Sequence, residues 1–332
     1  MSSWLPMRNG KWAHERKSHT NIRRRLAVLL VGISVSSSSS LTAEILVRPS
    51  NAVSPAGQAT FDNAVDPSFA GYINVRAFGA KGDGITDDTA AFRKAIANVP
   101  PGSTIFVPPG IYHITQDISY PATRSISWKG TGYGSVLSFN GSGIILTGGE
   151  EAVVKRLSIE ALRIQRRGTA GAALALNGTD SAGLSRWILR DLHIVSVGGT
   201  GIYIEGAWLG AMDNVMVMRS KIGVQIEMNR ESRNTSMNAL TVTGGEVQGC
   251  TDGWRIKAVA GLTMRGHAVE GNVRGITASH TPRGINIDGG YFEHNTAYDI
   301  LFDGPTAGYG NSIRDSLFFS PGGGRATPSP SY

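Results

Sequence analysis

The chain has 332 residues, enough for one large domain or two small ones with a sizeable core. Only 17% of the residues are charged while glycine accounts for 43, which argues against a helical bundle with its Lys- and Glu-rich surfaces; a hydrophobic share of 41% excludes disorder throughout. The net charge of +7 sits at the start: residues 1–43 hold seven basic side chains against one acid, the remainder balances to +1, and so neutral a body carries no footprint for a nucleic-acid backbone.

Arg23, Arg24 and Arg25 precede the apolar run 26–35, five serines and Leu41-Thr42-Ala43. Basic, apolar and small-residue regions in that order read as a secretory signal peptide over residues 1–43, cleaved after Ala43, which implies a secreted or periplasmic product. The apolar run is too short to span a bilayer, so no stable membrane insertion is expected after cleavage. The triple arginine fits a twin-arginine signal loosely, which leaves the export route open. Residues 44–70 contain Pro49, Pro55 and Pro67 without a sustained period and read as a linker or N-terminal arm.

In residues 73–98, Gly79, Gly82 and Gly84 form a turn, Asp87 or Asp88 caps a helix, and Ala91, Phe92, Ala95 and Ile96 make the apolar stripe of that short helix. Downstream a unit repeats. Segments of the form small, apolar, any, apolar recur at Gly143–Leu146, Ala173–Leu176, Gly201–Ile204, Gly223–Ile226, Gly253–Ile256, Gly275–Ala278 and Asp299–Phe302, with spacings of 30, 28, 22, 30, 22 and 24. A second series of strands is expected between them at Val154–Ile159, Ile188–Ile194, Met212–Met218, Leu240–Val242, Leu262–Met264 and Ile285–Ile287.

A helix-free unit of this length cannot bury its own apolar face, so successive coils must stack. The expected fold is all-β, a single-stranded parallel β-helix over residues 71–319 with the helix capping its N-terminal end. Cys250, Asn272 and Asn295 follow Gln248, Glu270 and Glu293 at the same offset and predict a ladder at one corner. Cys250 is the single cysteine, so no internal disulfide forms, and it reads as a small buried residue. Residues 320–332 are low in complexity and read as a disordered tail.

If the apolar positions face the core, Tyr203, Gln225, Arg255 and Thr277 project outward on neighbouring coils, and the fifth position adds Asn177, Glu205, Glu227, Lys257 and Ser279. Two carboxylates one coil apart supply what glycoside hydrolysis needs, one protonated acid and one ionised partner. Glu205 and Glu227 are therefore the expected catalytic pair, and Tyr203, Gln225, Arg255 and Lys257 the substrate-binding set. The bland alternative is a solvated face with a Glu227–Lys257 cross-strand pair. A rival set, His267, Glu270, Glu293 and His294, lies on the turn side. No spacing suits a structural zinc site, no acidic cluster suits calcium, and no phosphate-binding glycine pattern follows a strand, so neither metal nor cofactor is expected.

Residues 73–98 together with Gly102-Ser103-Thr104-Ile105-Phe106-Val107-Pro108-Pro109-Gly110-Ile111-Tyr112 closely resemble the opening motif of the pectate-lyase superfamily, which includes rhamnogalacturonase-like and family 28-related glycoside hydrolase proteins and many phage tailspikes. The resemblance implies a right-handed, pectin-lyase-like solenoid that usually acts on polysaccharide; it places Asp87-Asp88 in the capping segment. The sequence departs from the polygalacturonase pattern. Arg255-Ile256-Lys257 is present, Gly266-His267-Ala268 is a fragment, and no Asp-Asp pair follows residue 88. The expected function is a secreted polysaccharide depolymerase of the glycoside hydrolase type, a monomer or homotrimer. The alternatives are a non-catalytic carbohydrate-binding or tailspike-like protein, or a uronic-acid lyase or epimerase with Lys257 or His267 as base.

Overall fold

Short apolar strands broken by tight turns leave each coil with unpaired backbone on both edges, and the chain satisfies it by stacking coil on coil. The structure is a computed structural model that describes residues 72–141, 143–148, 157–178, 183–228, 237–304 and 309–319. The expected signal segment, the linker and the tail lie outside these residues. Every strand pairing among them is parallel: a 16-stranded sheet supplies two faces of the solenoid, a 10-stranded sheet the third, and a two-stranded patch completes it. This is the expected parallel β-helix.

The helix Thr89–Asn98 stands at the start, with Ala91, Phe92, Ala95 and Ile96 buried. Phe92 stacks on Trp128 with ring centroids 5.6 Å apart and meets Tyr112 edge-on at 5.5 Å, so the helix closes the core of the first coils. Its cap differs in detail from expectation. Asp88 stands at the N-cap position without a side-chain cap bond; the neighbouring Asp87 accepts from Thr89 N at 3.0 Å. Buried Asp88 instead accepts from Lys81 N at 2.6 Å and Gly82 N at 3.1 Å, tying down the glycine turn. Both aspartates are thus structural.

Two expected strands are each two. Ile188–Ile194 divides into Trp187–Arg190 and His193–Val197, and Met212–Met218 into Gly210–Asp213 and Met216–Met218. The breaks fall at Asp191 and Asn214, which belong to a corner column with Ala161, Gly244, Gly266, Gly289 and Asp315, all with φ between 48° and 63°. Asn and Asp tolerate that left-handed geometry nearly as glycine does. These two members of the second series are therefore each a pair of strands on two faces, joined across a short corner.

The small residue opening each repeat has a steric cause. A Cβ at Gly253 would lie 2.6 Å from the carbonyl oxygen of Gly275 on the next coil, and Gly223 and Gly275 are equally hemmed by the coil that follows each. The residues after them fill the interior: Ile202, Ile204, Val224, Ile226, Trp254 and Ile256 are fully buried. At the adjoining corner Asn272 donates to Val247 O at 3.1 Å and accepts from Cys250 N at 2.9 Å, and Asn295 repeats the arrangement one coil on, donating to Val269 O at 2.8 Å. Cys250 is buried in this ladder, and burial pushes its thiol up to about 11.

Candidate functional site

The predicted outward column exists as a register. Tyr203 pairs with Gln225, Gln225 with Arg255 and Arg255 with Thr277 on successive coils. A hydrogen bond two residues along repeats on neighbouring coils: the Tyr203 hydroxyl donates to Glu205 Oε2 at 2.6 Å, and Gln225 Nε2 donates to Glu227 Oε2 at 2.8 Å. Lys257 reaches back one coil to Glu227, with Nζ 2.8 Å from Oε1. Burial alone would push the Glu227 carboxyl up, but the hydrogen bonds from Lys257 and Gln225 outweigh it and hold the group below the ordinary carboxylate range. Beside these groups is a cavity of about 320 Å³ with Tyr203, Gln225 and Asn177 on its wall and Ala172 and Ala175 on its floor.

Two predicted members sit otherwise than a solvated strip requires. Glu205 is 1% exposed, so the residue lies under the surface with the Tyr203 phenol over its carboxylate. Arg255 turns along its own strand to Asp252, which also takes the Nε–H of Arg274. Asp252 is itself buried; desolvation would raise its carboxyl, yet hydrogen bonds from Arg274 and then Arg255 lower it overall. Asp252 was missed in the sequence because its partners come from two coils.

The rival set divides. His267 packs against Trp254 with Nε2 taken by the indole N–H and Nδ1 by Gly244 O, so both ring nitrogens are engaged within the core and it does not serve as the base of the lyase reading. Glu270 and Glu293 are register neighbours on the 10-stranded sheet, and with His294 their ligand atoms lie within 4.8 Å of one another. Glu293 is already held by the Tyr291 hydroxyl at 2.7 Å and His294 Nδ1 at 3.3 Å. One coil earlier, burial and then the charge of Glu270 raise the carboxyl of Glu246.

The same 10-stranded sheet carries a larger feature nearer the N-terminus, a cavity of about 550 Å³. Arg163 and His193, register partners on neighbouring coils, line it together with Gln165, Arg167 and Arg219. With its amide turned to satisfy both groups, Gln165 accepts two hydrogen bonds from Arg163, at 2.8 and 2.9 Å. Burial, and then the charge of Arg163, lower the His193 imidazole below its ordinary value. The alternation Arg163-x-Gln165-x-Arg167 was the available signal in the sequence.

A stacked-coil solenoid with polar clefts on two faces places the chain among the parallel β-helix proteins. Residues 72–277 match the family described as Rhamnogalacturonase A/epimerase, pectate lyase-like, and the chain belongs to it. It is 25% identical over 322 residues to Depolymerase 1, capsule K30/K69-specific, of Klebsiella phage K5-2, a match covering 84% of this chain and 40% of that protein. With the Pre-neck appendage protein of Bacillus phage phi29 it shares 38% identity over 58 residues, 18% of this chain and 6% of that one. The chain thus spans less than half the length of these relatives. The solved structure of Geobacillus virus E2 ORF18 superposes with a TM-score of 0.56 at 18% identity, covering 76% of this chain and 58% of that chain, and shares the fold.

Proposed function

We propose that the protein is a polysaccharide depolymerase of the glycoside hydrolase type, with its reacting groups on the face that carries Tyr203, Glu205, Gln225, Glu227 and Lys257. The observation that carries the reading is the unequal treatment of two carboxylates on neighbouring coils: Lys257 and Gln225 grip Glu227, while Glu205 lies buried one coil further from the cation under a phenol. In this reading Glu227 is the ionised partner and Glu205 the proton donor to the leaving oxygen. Tyr203 and Gln225, on the cavity wall, bind sugar hydroxyls, and Arg255, anchored by Asp252, contributes at the edge. The similarity to a phage protein named as a capsule depolymerase supports a polysaccharide substrate. Export through the segment 1–43 to a secreted or periplasmic location, as a monomer or homotrimer, belongs to the same proposal.

Incubation of the chain with a panel of plant and bacterial polysaccharides tests it. New reducing ends without absorbance from a new double bond are the expected result. Unsaturated products would mean elimination, and tight binding without cleavage of any polymer would mean a tailspike-like or carbohydrate-binding role.

A further inference from the structure

The outward side of the 10-stranded sheet changes the sign of its charge along the solenoid. Register pairing carries Arg163 through His193 and Met216 to Glu246, and in the next column Gln165 through Val195, Met218 and Gln248 to Glu270 and Glu293. The alternate residues, such as Ile194, Val217 and Val247, are buried, so both columns face away from the core. Arg163, Arg167 and Arg219 belong to the first three of these coils, whose strands contain no acid; Glu246, Glu270 and Glu293 belong to the next three, whose strands contain no lysine or arginine. Among the described residues, no ion pair joins any of these arginines to an acid, or any of these glutamates to a lysine or arginine. The acidic end also repels itself: Glu270 and Glu293 are direct register partners, and burial and then the charge of Glu270 raise the Glu246 carboxyl. Where the sign changes, the surface is apolar and adaptable. Met216 and Met218 are half-buried, the exposed Tyr133 brings its hydroxyl 3.5 Å from the Met216 sulfur, and Val197 is exposed nearby. Arginine, methionine and tyrosine are residues that protein interfaces favour.

A face with opposite signs at its two ends is complementary to itself when turned round. We propose that this sheet packs on the same sheet of a second copy, the two solenoids running antiparallel about a two-fold axis that passes between the Met218 and Gln248 coils. The register then sets the coil of Arg163 and Arg167 against that of Glu293, the coil of His193 against that of Glu270, and the coil of Met218 and Arg219 against that of Glu246, each contact being made twice. A ring of copies with its axis along the solenoid would instead bring Arg163 to Arg163 and Glu270 to Glu270, so a homotrimer has to use another face. Coils about 4.8 Å apart and strands about 17 Å long make a face of roughly 500 Å² per copy, roughly 1,000 Å² in all, at the low end of specific interfaces, so the pairing is reversible. The inference goes beyond the proposed function and does not rest on it: the unit that associates is the monomer of that reading, and Glu205 and the strand before Glu227 belong to the other large sheet.

Sedimentation velocity of the full chain over a wide range of concentration, at about 25 mM and about 500 mM NaCl, tests the pairing. A dimer that grows with concentration at low salt and dissociates at high salt is the expected result. The double variants Arg163→Glu with Arg167→Glu and Glu270→Lys with Glu293→Lys, each confirmed as folded by its thermal melt, should associate at least about tenfold more weakly when alone. Mixed together they present faces of nearly uniform and opposite charge, and a one-to-one dimer should return. A folding defect would not recover on mixing. Arg219→Glu, at an exposed position past the end of its strand, supplies the same reading if a double variant fails to fold, with a loss of about tenfold in association. A monomer at every concentration in low salt would leave the face to another occupant and overturn the proposal. So would a trimer at low salt, or a dimer indifferent to salt and to the charge reversals.

Discussion

Trp254 donates its indole N–H to Nε2 of His267 at 3.1 Å, and the imidazole in turn holds Gly244 O from Nδ1 at 2.8 Å. A ring that accepts at one nitrogen and donates at the other is neutral, with its tautomer set by both bonds. Burial depresses it from 6.5 to about 4. The unfolded chain therefore binds a proton that the folded chain refuses between those values. The stability this group contributes is complete above pH 6.5 and is lost as the pH falls towards 4, about 3 kcal/mol in all. Urea unfolding at pH 7 and pH 4.5 should show that loss in wild type and a flatter dependence in His267→Gln. Identical slopes in the two proteins would mean that the ring is protonated in the fold.

Asp252 stands between Arg255 and Arg274 as the buried centre of a three-residue clamp. Asp252→Asn should cost roughly 2–3 kcal/mol, below a fully buried pair because both guanidinium groups keep about a third of their surface in water. The carboxyl is depressed in the fold, so its contribution is present above the ordinary Asp value and fades as pH falls through the folded one. A chemical-denaturation midpoint unchanged by the substitution would show that the clamp is idle.

Asn272 serves both neighbouring coils, accepting from Cys250 N and donating to Val247 O. Asn272→Ala strands a buried donor and a buried acceptor, each worth about 1–3 kcal/mol, and should be among the more damaging polar substitutions in the chain. By contrast Arg190→Gln removes an ion pair with Asp213 in which both side chains are nearly half exposed, and should change stability by less than about 1 kcal/mol. Thermal melts of the two variants side by side check the ordering.

Lys257, with Gln225, holds the Glu227 carboxyl below its ordinary range. Lys257→Gln removes the charge, so the Glu227 carboxyl rises and the acid limb of the pH–kcat/KM profile should move to higher pH. An acid limb that stays in place would show that Glu227 does not govern it.

Much of this fold is legible because one coil repeats another: Gly223, Gly253 and Gly275 recur where the following coil leaves no room for a Cβ, and Ile202, Val224 and Trp254 recur where the core is. The Asp191 and Asn214 corners were hidden because each shifts the buried positions by a single residue, from Trp187 and Leu189 to Leu192 and Ile194, and from Met212 to Val215 and Val217. The outward register of Tyr203, Gln225 and Arg255 follows from alternation, and so could be read. Its chemistry could not: Glu205 is buried by what lies over the strand end, and Arg255 is claimed by an aspartate three residues back. The alternation Arg163-x-Gln165-x-Arg167 stood in the sequence, but Arg219, on a later coil, joins those two only after stacking.

The most direct test of the proposed site compares Glu205→Gln and Glu227→Gln with Glu270→Gln and Glu293→Gln, each confirmed as folded by its thermal melt, on the polysaccharide that wild type cleaves. Reducing-end release should fall about 10²–10⁴-fold in the first pair and stay within a few-fold of wild type in the second. Full activity in the first pair with loss in the second would move the reacting groups to the 10-stranded sheet, and full activity in all four would contradict a carboxylate mechanism at either place.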